Sequence, residues 1–257
     1  MQYARCAADG GFWCVKDGDH LCAIDCAPIH GGWKRTGLTF PLDGFCYAPP
    51  LEPSLTRQMI IVGWNYTEHT RETGSSQPPE PMIYPLSSAS LNAHRRAVII
   101  PSFIEHVEHE AELVVVIGKL AKNVPASSAL DYVLGVTCGN DVSARDIQNK
   151  PGFSNLPRAK TIDTFKPVGP FLTTDIDFSD LPITMKINGQ IRQSSRTGLM
   201  LFKVPELIEF ITKTITLYPW DIIFTGTPKG CSRVLPGDEM EVSIDGIGAL
   251  VNTVAGE

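Results

Sequence analysis

The run Leu113-Val114-Val115-Val116-Ile117, closed by Gly118 and opened by Glu110-Ala111-Glu112, leaves this chain few options. A short, dense Leu/Val/Ile stretch bounded by glycine is a buried strand. Side chains two apart in a strand share a face, so Glu110 and Glu112 stand side by side at the mouth of an apolar element. Ionised carboxylates are costly there, and like charges that close raise each other's pKa. A divalent cation removes the conflict, since Mg2+ takes carboxylate oxygens plus water and leaves positions open for substrate. The competing reading is an exposed strand end with a solvated acidic face.

Composition narrows the partners. The chain has 257 residues, enough for one large domain or a main domain with a small appendage. Its formal net charge is −6, with no basic stripe, so no nucleic acid is expected as a partner. A small anionic substrate still fits, because local positive charge or a metal overrides the global sign. No window approaches the roughly 18 consecutive apolar residues of a membrane span. Met1 to Gly11 lacks a basic start followed by an apolar segment, so secretion is not expected. Seven cysteines, an odd number without framework spacing, read as reduced thiols of a cytoplasmic protein. His20, Cys22 and Cys26 make half a zinc site with no second pair to complete it, so the cysteines are expected as small buried hydrophobes.

Along the chain, residues 1–55 carry short apolar pieces punctuated by Asp17-Gly18-Asp19 and Gly31-Gly32, which predicts a small N-terminal β domain. Pro49, Pro50 and Pro53 form a stiff connector. Residues 56–257 form the main domain, with strands expected at Met59–Val62, Glu110–Ile117, Leu134–Cys138, Ile183–Ile187, Ile222–Phe224, Glu239–Ile244 and Ala249–Val254. Helices are expected at Tyr66–Glu72, capped by Asn65 with Glu68 in a capping-box spacing, at Ser127–Val133, and at Val204–Thr212. The fold class is therefore mixed, β-rich α+β with helices at the margins. No alternating βαβ pattern and no G-x-G-x-x-G after a strand appear, which disfavours a Rossmann fold.

Two further pieces add to the carboxylate pair. Asn140-Asp141-Val142-Ser143-Ala144-Arg145-Asp146-Ile147-Gln148 follows an apolar strand, so Asp141 is placed to give a third oxygen ligand. Arg145 and Gln148 share its face if a helical turn starts there, and Arg is the natural clamp for a substrate carboxylate. The bland alternative is an Asn-Asp turn with a surface ion pair. In Trp64-Asn65-Tyr66-Thr67-Glu68-His69-Thr70-Arg71-Glu72, His69 and Glu72 are helical neighbours. A carboxylate bonded to one imidazole nitrogen fixes the tautomer and makes the other a better base, a geometry suited to activating water. A surface ion pair is the alternative here. The following Gly74-Ser75-Ser76-Gln77-Pro78-Pro79 suits a lid.

Taken in order, these blocks resemble the fumarylacetoacetate hydrolase family from about Ile60 to Val254. The resemblance rests on Val62-Gly63-Trp64-Asn65-Tyr66 through His69, Glu110-Ala111-Glu112-Leu113, Asn140-Asp141-Val142-Ser143-Ala144-Arg145-Asp146, Lys160 through Asp163-Thr164-Phe165 to Gly169-Pro170, Asn188-Gly189, and Thr225-Gly226-Thr227-Pro228. It implies a β-roll core, a homodimer, and Mg2+ or Mn2+ held by Glu110, Glu112 and Asp141. It implies His69 and Glu72 as a catalytic dyad on a lid helix, with Lys160 neutralising developing charge. Arg145, Gln148 and Thr227 are implied to contact the substrate, Thr227 through hydroxyl and backbone N–H. Two departures stand out. Leu86 occupies a position often held by lysine, and Pro219-Trp220-Asp221 replaces a Pro-Gly-Asp turn, so Trp220 implies a different turn or strain.

The activity expected is metal-dependent hydrolysis of a C–C bond in a small acylpyruvate-type 2,4-dioxo acid, through an enolate held by the cation. An oxaloacetate-type decarboxylase or a 2-oxo/2-hydroxy-dienoate isomerase would use the same residues. A non-catalytic β-rich binding protein is the reading from another class.

Overall fold

In the computed structural model, which describes residues 1–8, 11–150 and 155–257, Ala111–Ile117 is a strand buried at each position. It pairs antiparallel with Val133–Asn140 on one side and Ile222–Phe224 on the other. Its side chains alternate as the pleat dictates. Leu113, Val115 and Ile117 join one apolar cluster with Met185, Val242 and Leu250, whereas Val114 and Val116 join another with Met59, Trp13 and Trp220. Each such side chain contributes about 1.5–3 kcal/mol when fully buried, so this strand anchors both layers.

Among the described residues the strands form three sheets. The largest runs Arg35–Pro41, His20–Ile24, Trp13–Asp17, Gln2–Cys6, Lys166–Thr173, Val133–Asn140, Ala111–Ile117, Ile222–Phe224, Met59–Gly63, Met82–Leu86. A second sheet orders Gln190–Arg196, Pro182–Ile187, Glu239–Ile244, Gly248–Gly256 and Val98–Ile100, and packs on the first. A small third one joins Ser143–Ala144, Val107–Glu108 and Arg233–Val234. The result is β-rich with short helices at its margins, as the sequence predicts.

The N-terminal β region continues the large sheet, because Gln2–Cys6 pairs antiparallel with Lys166–Thr173. A second joint is aromatic: Trp13 stacks on Trp220 with centroids 5.4 Å apart and planes 25° from parallel. Trp220 does sit at positive φ, +75°, in the turn where glycine was expected. Asp221 braces that turn, its carboxylate accepting the N–H groups of Arg57, Gln58 and Tyr218 at 2.7 Å each.

The helices are α1 (Thr67–Glu72), α2 (Arg145–Gln148), α3 (Leu156–Lys160) and α4 (Val204–Thr214). The apolar face of α4 buries Leu207, Ile208 and Ile211, as its spacing requires. Two expectations need correction. Asn65 does not cap α1, whose N-cap is Tyr66 without a side-chain bond. The Asn65 amide instead donates to the carbonyls of Phe202 and Thr225, tying three segments together. The Ser127–Val133 helix is a 3-10 segment, Ala126–Tyr132, in which short Ser and Asp side chains favour tight turns over α-helix. The cysteines are free. Cys6, Cys14, Cys22 and Cys138 are buried as expected, but Cys46 is exposed. Among the described residues no helix is long and apolar enough to cross a membrane.

Candidate metal centre and active site

Strand register creates the centre. Ala111 pairs with Asn140, so the residue after that strand, Asp141, falls beside Glu110 and donates its N–H to the Glu110 carbonyl at 2.9 Å. Glu110 and Glu112 share a strand face by pleat. Together Glu110, Glu112 and Asp141, all buried, present ligand oxygens within 4.8 Å of one another. Gly226 closes the far side, with its N–H on Glu112 Oε2 at 2.7 Å. It adopts φ +97°, and a Cβ there would lie 2.7 Å from Asn65 Cβ, so only glycine fits.

Cations meet these carboxylates unevenly. Lys160 Nζ, at the end of α3, bonds Glu110 Oε2 at 2.8 Å and Asp141 Oδ2 at 2.6 Å. Arg145 spans Glu108 at 2.7 Å, Glu110 at 2.5 Å and Gln148 Oε1 at 2.6 Å. Fully buried Lys166 stands 2.8 Å from Asp141 Oδ1 but off the hydrogen-bonding line, and donates to the carbonyls of Val142 and Phe165. Burial alone would raise the Glu110 carboxyl, yet Lys160 and Arg145 hold it below the usual carboxylate range. Glu112 has no cation in contact among the described residues. Burial, then Asp141 and Glu110, push it well above that range. Three hard oxygen donors with one charge left uncompensated are the donor set of a hard divalent cation, so the residues present fit one.

All nine residues singled out in the sequence line one cavity of about 560 Å3. His69, buried on α1, has its Nδ1 3.5 Å from Glu72 Oε2 and without a hydrogen-bond partner among the described residues. Glu72 accepts the Gly230 N–H at 3.0 and 3.2 Å, and Lys229 pairs with Glu68 at 3.2 Å. These contacts hold α1 against the loop that carries Thr227. Arg145 is committed to Glu108 and Glu110, so any substrate contact it makes is shared with them. The Thr227 hydroxyl donates to the Ala111 carbonyl at 3.0 Å and accepts from Gln193 Nε2 at 2.8 Å. Leu86 packs in the apolar layer with Met59 and Trp220 and is not among the described residues lining the cavity.

Sequence reasoning did not single out Glu108, Lys166 or Gln193. Glu108 lay in the acidic run and was legible as a neighbour of Glu110. Lys166 and Gln193 come from remote strands and carry no local signal. Trp64, also on the cavity wall, sits at φ +50°, in the left-handed region that non-glycine residues seldom adopt.

Known proteins resemble this chain in sequence and in fold. Residues 58–255 match the family profile described as Fumarylacetoacetate (FAA) hydrolase C-terminal. An uncharacterized protein of Pyrococcus abyssi is 44% identical over 204 residues, covering 78% of this chain and 91% of its own. The mitochondrial oxaloacetate tautomerase Fahd2a of Rattus norvegicus is 38% identical over 217 residues, covering 80% and 68%. The crystal structure of 5-carboxymethyl-2-hydroxymuconate delta-isomerase from Mycobacterium smegmatis superposes with a TM-score of 0.89, at 37% identity and full coverage of both chains.

Proposed function

Because the chain belongs to the fumarylacetoacetate hydrolase family, we propose that it is a Mg2+- or Mn2+-dependent hydrolase cleaving a C–C bond in a small acylpyruvate-type 2,4-dioxo acid. One observation carries the reading: His69, whose Nδ1 has no hydrogen-bond partner among the described residues, lines the same cavity as three buried carboxylates of which one, Glu112, has no cation in contact among those residues.

When bound by Glu110, Glu112 and Asp141, the cation supplies Lewis acidity toward the 2-oxo-carboxylate end of the substrate. His69 takes a proton from water, and the hydroxide attacks the distal carbonyl carbon. The bond between that carbon and the methylene breaks, leaving a carboxylic acid and the enolate of a 2-oxo acid, which is then protonated on carbon. Lys160, fixed by Glu110 and Asp141, lends positive charge beside the developing enolate. Thr227 orients the substrate carboxylate, and Arg145 with Gln148 line the same cavity. Glu72 keeps α1 docked through Gly230 while lending negative charge to His69. General-base help of this kind is worth about 10²–10⁴-fold.

A second reading keeps the cation site and drops the water: tautomerisation, isomerisation or decarboxylation of a 2-oxo acid. The 3.5 Å gap between His69 Nδ1 and Glu72 favours it, since the imidazole lacks the carboxylate hydrogen bond of a strong water-activating base. The names of the rat and Mycobacterium smegmatis relatives point the same way. Turnover of an acylpyruvate in 18O-labelled water decides between them. Hydrolysis puts one label into the released acid. Enol–keto exchange of oxaloacetate, or CO2 release from it, without any acylpyruvate cleavage would overturn the hydrolase reading.

A further inference from the structure

Gln193 is the one buried residue of the Gln190–Arg196 strand, at 1% exposure. A buried amide is retained only when its hydrogen bonds are made, and here all are. Oε1 accepts the Ala111 N–H at 2.9 Å and faces His109 Nδ1 at 3.2 Å. Nε2 donates to Thr227 Oγ1 at 2.8 Å and to the Pro228 carbonyl at 2.7 Å. His109, itself fully buried, is held from behind by Ser232 Oγ at 2.9 Å.

One planar amide therefore joins two parts of the site. Ala111 lies between the ligands Glu110 and Glu112, and Thr227 belongs to the loop facing them. The Thr227 hydroxyl has spent its proton on the Ala111 carbonyl and receives the Gln193 amide. What Thr227 keeps for a ligand is its backbone N–H, which has no acceptor among the described residues. We infer that Gln193 is a positioning residue that sets the Thr227 N–H at a fixed distance from the carboxylate triad, so that a substrate carboxylate would meet that N–H and a cation held by the triad together. The inference rests on the proposed function, because it needs a ligand that spans the metal and Thr227. Misplacement by about 1 Å at such a contact costs up to about 10²-fold.

The test uses the full chain, with Mn2+ and then oxalate, a two-carbon mimic of the 2-oxo-carboxylate end, titrated calorimetrically. Gln193→Met fills the same space without donor or acceptor. It is expected to weaken oxalate about tenfold while Mn2+ affinity stays within about twofold. Thr227→Val removes the hydroxyl through which Gln193 acts, so the double variant is expected to be no weaker than the worse single one. A fold defect would move both affinities and give additive losses. Should Gln193→Met fail to fold, Gln193→Glu keeps an acceptor for Ala111 and loses the donor to Thr227, with the same expectation for oxalate. Wild-type oxalate affinity in the Gln193 variant, or additive losses in the double one, overturns the inference alone. Wild-type protein that binds Mn2+ but no oxalate overturns it together with the proposed function.

Discussion

His69 Nδ1 stands 3.5 Å from Glu72 Oε2, beyond hydrogen-bonding reach, while the same carboxylate accepts the Gly230 N–H at 3.0 Å. Glu72 thus serves the docking of α1 more directly than the orientation of the imidazole. The two residues should therefore differ in what their loss costs. His69→Gln is expected to lower kcat by about 10²–10⁴-fold with Mn2+ binding retained. Glu72→Gln, whose side-chain oxygen can still accept from Gly230, is expected to cost about tenfold or less. Steady-state kinetics check this, and equal losses would mean that Glu72 orients the base after all.

Of the three carboxylates, Glu112 alone has no cation in contact among the described residues. Burial and the neighbouring Asp141 and Glu110 keep its pKa well above normal, so its charge is a burden without a cation. Glu112→Gln is expected to leave the metal-free protein at or above wild-type Tm and to abolish the Tm rise produced by Mn2+. Ligand binding to the native state alone stabilises by about 4 kcal/mol at a thousandfold excess over Kd, so the contrast is readable by thermal melts with and without chelator.

The turn at Trp220 sets backbone strain against packing. A non-glycine residue in the left-handed region costs about 1–2 kcal/mol, whereas deleting a buried, stacked tryptophan costs about 3–5 kcal/mol. Trp220→Gly should therefore destabilise the protein by about 1–4 kcal/mol in denaturant unfolding, despite relieving φ. A stabilised variant would show that the Trp13 stack contributes little.

Much of the site was legible in the chain because it depends on local rules. The period-two pleat put Glu110 and Glu112 together, a strand end presented Asp141, and helical spacing paired His69 with Glu72. What escaped depends on tertiary contact. Asn65 looks like a helix cap in sequence, but the carbonyls of Phe202 and Thr225 claim its amide. Lys166 reads as an ordinary polar residue ahead of Pro167, yet the sheet buries it completely against Asp141. Gln193 lies on an otherwise mostly exposed strand, where nothing nearby announces that it reaches Thr227. The N-terminal strands were readable as strands, but not their continuation of the large sheet, because pairing between residues 2 and 173 leaves no trace in spacing.

His94 gives the fold a pH dependence separate from the candidate metal centre. Its Nδ1 accepts the Val251 N–H at 3.0 Å, and burial, then the charge of Arg95, pull its pKa down to about 4 from 6.5. Below the unfolded value the unfolded chain binds the proton and the native one does not, so stability falls as pH drops from 6.5 and levels off near 4. The contribution is at most about 3 kcal/mol. In chelator, His94→Asn, which keeps an acceptor for Val251, should make the fall in Tm between pH 6.5 and 4 shallower, the remainder belonging to other groups such as buried His109. An unchanged slope would assign that loss to other groups.

The proposed chemistry requires that the carboxylates of Glu110, Glu112 and Asp141 hold a hard dication. Anomalous diffraction at the manganese edge, from crystals soaked with Mn2+ and oxalate, addresses it directly. One strong peak is expected about 2.1–2.2 Å from an oxygen of each of the three side chains, with oxalate completing the coordination. Lack of a peak among them at saturating Mn2+ would contradict the account.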